Sequence, residues 1–184
     1  MKINREPVGE FTEEIVAKDH AFWTQYSERL AGNWITHQTT LAEVCQFVER
    51  VHLRRDYKDY NGDLKFIGDS GAQKAFSKLR SSIGGLYAWR ITELSRLLQS
   101  GQQPADKLAL EQQRVLREAE FAFKQAYAFC PYSPEAVFRY VQLLAGMGRV
   151  DDARLIVRTA LKLDPYNSSL QGLLAQLQGM QPVS

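Results

Sequence analysis

The feature that most constrains this 184-residue chain is an internal recurrence at one fixed spacing. Ala119, Ala126, Pro131 and Tyr132 return 34 residues later as Ala153, Ala160, Pro165 and Tyr166. Glu118 with Asp152, Phe123 with Val157 and Ser133 with Asn167 add conservative matches in the same register. A period of about 20–50 residues marks a supersecondary unit that buries its apolar face by stacking on a neighbouring copy. The residue types fit paired helices. The alanines let two helices approach closely, and Pro165 ends the second one because it has no amide donor and clashes with the turn before it.

The second copy, Pro134 to Asn167, resembles the tetratricopeptide repeat over its full length. That family's pattern places Gly in the turn, then Ala, an aromatic, Ala, and Leu-x-Leu-Asp-Pro-x-Asn. Gly148, Ala153, Ala160 and Leu161 to Asn167 meet it, with Val157 in the aromatic position. The first helix departs further, since Val137 stands for the usual Trp and Tyr140-Val141 for Leu-Gly. The preceding copy matches in its second helix, Asp106 to Phe129. Its first helix is expected earlier, over Ala72 to Leu98, where Ile83-Gly84-Gly85-Leu86-Tyr87 fits a Leu-Gly-x-x-Tyr spacing. Phe76, Leu79, Ile83, Leu86, Leu94 and Leu97 form a helical stripe there. A polar loop, Ser100 to Pro104, replaces the tight turn, so this repeat is expanded. Ser168 to Gly179 is expected to form a capping helix, because a solenoid end must cover its apolar face.

The N-terminal residues 1–60 are expected to form a helical pair, leaving 61–184 as the repeat domain. Ile15, Phe22, Trp23, Tyr26 and Leu30 make one stripe, which Gly32-Asn33 ends. Thr40 and Glu43 have the spacing of a capping box, opening a helix with Leu41, Val44, Cys45, Val48 and Val51 on its apolar face. Residues 56–71, rich in Asp, Gly and Asn, are expected to be a connecting loop. No sustained two-residue alternation suggests a sheet, so the fold class is all-α: a helical-hairpin solenoid with an N-terminal helical pair and a C-terminal cap.

Several further stretches resemble a larger family. They include Lys2-Ile-Asn-Arg-Glu-Pro7, Phe22-Trp23-x-x-Tyr26, Gly32-Asn33-Trp34, Leu53-Arg-Arg-Asp56, Gln73 to Arg90 and Pro131 to Tyr140. They are similar to the soluble C-terminal tail of large multi-spanning bacterial membrane proteins whose membrane parts look like lipid-dependent glycosyltransferases. The resemblance covers nearly the whole chain and implies a tail tethered to a membrane on its extracytoplasmic side, with Met1 an internal start. It implies no catalytic residue in this segment.

The chemistry carried by the residues is sparse. Hydrophobic residues make up 45% and charged residues 24%, a globular mix; the net charge of +2 argues neither for nor against nucleic acid, and no nucleic-acid partner is expected. Residues 50–80 hold eight basic side chains, Arg80 among them, against four acidic ones, a pattern expected of a solvated helix face. No apolar run approaches the length of a membrane span, and the first residues lack a signal-peptide core. Cys45 and Cys130 are expected to be buried apolar thiols, without zinc-ligand spacing. His20, His37 and His52 stand apart in sequence, so no metal site and no cofactor is expected. Gly68-Asp-Ser70-Gly echoes a protease nucleophile motif, but before a helix Asp69 or Ser70 serves as an N-cap.

A binding surface remains, and the tetratricopeptide resemblance says where to look. In that family the first helix of each hairpin lines a concave groove, and mapping its positions gives Lys78, Ser81, Gly85, Ala88 and Trp89, then Glu135, Phe138, Gln142, Ala145 and Gly146. Lys78, Ser81, Trp89, Glu135, Phe138 and Gln142 are the candidate groove residues. Trp89 and Phe138 have a second reading, as rings covered by neighbouring helices. The two-Lys, Asn-rich carboxylate clamp of some family members is not visible here. The expected function is a non-catalytic interaction module for a protein or peptide segment. The alternative is a regulatory or acceptor-recognising tail of a membrane glycosyltransferase, with Trp23, Trp34 and Trp89 available to stack on sugar.

Overall fold

A computed structural model describes residues 11–101 and 104–180. The Lys2 to Pro7 stretch and the middle of the Ser100 to Pro104 loop lie outside them. The described residues are helical and contain no strand.

Helix α1 (Glu13–Ala31) starts at Thr12, whose hydroxyl accepts the Ile15 amide, and ends at Gly32 with φ of +100°. That left-handed conformation is open to glycine at little cost. Helix α2 (Leu41–Phe47) opens with the expected capping box, in which Thr40 and Glu43 satisfy each other's free amides. It continues in wider π-helical turns from Val48 to Leu53, and its whole apolar face, Leu41 to Val51, is buried. The 56–71 segment is not loop throughout. Asp63 caps a short helix, α3 (Leu64–Gly68), which inserts Phe66 into the core. Asp69 then accepts the amides of Gly71 and Ala72 and caps α4.

Helices α4 (Ser70–Ser100) and α5 (Ala105–Phe129) form the expanded hairpin, with 31 and 25 residues. They pack along their length where Gly84 lets α5 come close: a Cβ there would meet the Phe123 ring at 2.9 Å. Helices α6 (Pro134–Gly146) and α7 (Val150–Leu163) form the compact hairpin, with 13 and 14 residues. Its turn is closed by Gly148 at φ +75° and by the Arg149 amide bonding the Leu144 carbonyl at 2.9 Å. Ala153 and Ala160 are buried on α7, as the repeat requires. Helix α8 (Ser168–Gln178) caps the end with Leu170 and Leu177, starting at Asn167, whose side chain accepts the Leu170 amide.

One large core joins Trp23 and Leu30 of α1, the α2 face, Phe121 to Phe129 of α5 and the α6–α8 apolar faces. A smaller cluster of Val16, Tyr87, Leu94, Leu108, Val115 and Ala119 fills the far end of the expanded hairpin. Arg80 departs from the solvated-face expectation. It is fully buried under the Trp23 ring, donating to Asp19 at 2.8 Å and to Gln125 at 2.7 Å. A guanidinium is tolerated there because its charge meets Asp19 and two of its nitrogens reach fixed acceptors, while Nη2 has no hydrogen-bond partner among the described residues. Cys45 and Cys130 are buried thiols, and burial raises the pKa of each to about 11. At neutral pH they are inert.

Candidate functional site

The first helices of the two hairpins, α4 and α6, run beside one another and leave a groove of about 630 Å³ between them. Gly85 and Gly146 keep its walls low, and Leu86, Arg139, Leu143 and Met147 supply most of its character. Leu86 and Trp89 are 52% and 56% exposed, a large apolar investment in water for neighbouring turns of one helix. The Arg139 guanidinium lies over α4, close enough that a Cβ on Gly85 would come within 2.5 Å of it. Its hydrogen bond among the described residues goes to the Ser81 carbonyl at 3.4 Å, a long contact that leaves most of its donors to solvent.

The candidate groove residues divide. Gln142 lines the groove, as do Gly85, Ala88 and Gly146. Lys78 and Glu135 stand at its α4 N-terminal end, where they face each other across 3.8 Å. The carboxylate that Lys78 meets is therefore within the chain, in an exposed pair worth little in water. Trp89 is an exposed ring. Phe138 is half-buried against the core, and Ser81 is buried, presenting its carbonyl to Arg139 rather than its side chain to a ligand. Leu86 and Arg139 were not among the candidates. Arg139 lies four residues after Glu135 and three before Gln142, so helical periodicity alone places it on their face.

The histidines are a second correction. Remote in sequence, His20 of α1 and His37 of the α1–α2 loop meet in space. Their rings stack at 4.6 Å, and each bonds one oxygen of the buried Glu118 carboxylate, at 3.0 and 2.8 Å. Spacing rules could not find this cluster, because its members come from three separate segments. His52 does stand alone: its Nε2 lies 3.0 Å from the Ala128 carbonyl, and burial lowers its pKa to about 4.

Comparison with known proteins bears on the hairpins. Residues 110–177 match the family model described as tetratricopeptide repeat, from within α5 to the end of α8. No curated protein and no solved structure matches the chain. No helix among the described residues is long and apolar enough to cross a membrane. Repeats of this kind generally mediate protein–protein interaction and are typically non-catalytic. In sequence register and in its paired helices, the segment from residue 110 to 177 is similar to a tetratricopeptide repeat.

Proposed function

We propose that the chain is a non-catalytic interaction module whose α4–α6 groove binds a segment of another protein carrying apolar side chains and a carboxylate. The carrying observation is exposed Leu86 on the wall of a 630 Å³ groove that Arg139 overhangs, with exposed Trp89 three residues further along α4. Apolar side chains of the segment would cover Leu86 and Leu143, and its carboxylate would meet Arg139, whose planar fork suits a bidentate pair. The helices that line the groove, α4, α5 and α6, are packed on one another, so little ordering cost opposes binding.

The test is a peptide-display selection against the purified protein, followed by titration of the selected peptides using tryptophan fluorescence. Peptides with acidic and apolar residues are expected, with affinity falling at least about tenfold in Leu86→Ala and in Arg139→Ala, as truncation of an interface anchor does. Equal affinity for the variants and the parent protein would remove the groove from the function. Retention of lipid-linked sugar in place of peptide would favour the membrane-tail reading and its acceptor-recognising role.

A further inference from the structure

The cluster of His20, His37 and Glu118 shares no residue with the groove and has no part in the proposed peptide binding. Its setting is unusual for a structural hydrogen bond. Glu118 is a carboxylate only 6% exposed, and its ion-pair partners among the described residues are the two imidazoles. Arg80, the nearest deep guanidinium, is committed to Asp19 and Gln125. The site thus sets two imidazoles on one buried carboxylate, with no Lys or Arg side chain bonded to that carboxylate among the described residues.

The donors are also held. Phe121 stacks against His20 at 4.6 Å and lies 4.9 Å from the His37 ring. The loop carrying His37 is pinned by Lys124, which donates to the His37 carbonyl at 3.0 Å. The Thr36–Thr39 turn fixes its other side, with Thr39 donating to the Trp34 carbonyl at 2.7 Å. The cluster opens into a cleft of about 640 Å³ rimmed by Glu13, Arg114 and Arg117, which gives an ion a path and water ligands a place. One ring nitrogen each of His20 and His37 and a Glu118 oxygen lie within 4.8 Å of one another.

We propose that His20, His37 and Glu118 form a binding site for a divalent transition-metal ion of the zinc class, with solvent completing its coordination. Two imidazoles and one carboxylate are a donor set that suits zinc and its first-row neighbours. Metal–nitrogen bonds of about 2.1 Å require donor atoms within about 4.2 Å, so the rings turn and draw together around the ion. The ion places a positive charge directly against the buried carboxylate. By joining α1, the α1–α2 loop and α5, it clamps the N-terminal helices onto the expanded hairpin.

The experiment uses chelator-treated full chain with Zn²⁺ followed by calorimetry and melting temperature, and with Co²⁺ followed by visible absorption. Saturable binding of one ion per chain is expected, with a raised melting temperature. Cobalt should show ligand-field bands without thiolate charge transfer, since the buried cysteines take no part. His37→Ala should weaken Zn²⁺ at least about tenfold, given that loss of even an outer partner costs that much. His20→Gln, at a partly exposed side chain, supplies the same test should His37→Ala fail to fold, and His52→Gln should leave affinity unchanged. Absence of saturable binding to the parent protein, or equal affinity in the His20 and His37 variants, would overturn the site and leave the cluster a hydrogen-bond network.

Discussion

The two hairpins solve one packing problem at different lengths. In the compact hairpin, helices of 13 and 14 residues close with a glycine turn, and Ala153, Ile156, Val157 and Ala160 all reach the large core. In the expanded hairpin, 31- and 25-residue helices run several turns beyond the point where neighbouring repeats can cover them. The excess has to build a second core, and does so with five of its own buried residues and Val16 of α1, the last turns being tied by an Arg90–Glu111 pair at 2.8 Å and Gln112 to Ser95 at 2.7 Å. The same Tyr position shows the contrast from the other side. Tyr132 donates to Gln73 at 2.8 Å because α4 lies beside it, whereas Tyr166, 34 residues on, is 93% exposed. Repeat sequence sets helix pairing, and neighbours decide what each position touches.

Three measurements would break or sharpen that contrast. Ile156→Ala should cost about 2–5 kcal/mol of global stability, since it empties a site in the large core. Leu94→Ala removes a comparable volume from the small cluster. It should chiefly speed hydrogen exchange between residues 90 and 112, with less than half the effect on melting temperature. Equal global losses would show that the far end and the compact hairpin unfold as one unit.

Next in size, Ala153→Trp should destabilise by about 3 kcal/mol, because the α6–α7 contact has no room for a ring. An unchanged melting temperature would sink the alanine-mediated packing of the compact hairpin. Acidification should act on the core that both hairpins share. His52 has a folded pKa near 4 against about 6.5 unfolded, so the unfolded chain takes up its proton first. Its contribution is complete above pH 6.5 and is lost as pH falls toward 4, reaching about 2 kcal/mol of loss at pH 5. Denaturant titrations at pH 7 and 5 should show this in the parent chain and much less of it in His52→Gln.

Much of the fold was legible because it is written in local rules. The 34-residue register fixed α5 to α7, the Thr40–Glu43 spacing gave the α2 capping box, and Gly32 marked the end of α1. The short helix α3 was missed because five residues carry too little periodicity to stand out from a polar linker. The groove was half legible. Gln142 and the glycines follow from repeat position, whereas Ser81 turned inward and Leu86 outward because α4 is too long for one repeat's register to hold along it.

The sequence by itself determined the helical class, the hairpin pairing and the boundaries set by caps and turns, since these depend on residues within a few positions of each other or at one constant offset. Tertiary structure alone decided the fate of Arg80, buried beneath Trp23 and tied to Asp19 from 61 residues away, and the meeting of His20 and His37 at Glu118 across 98 and 81 residues. A charge or an imidazole carries no local signal of its partner. Its chemistry is set by what the packed helices bring within about 3 Å, and no spacing along the chain encodes that distance.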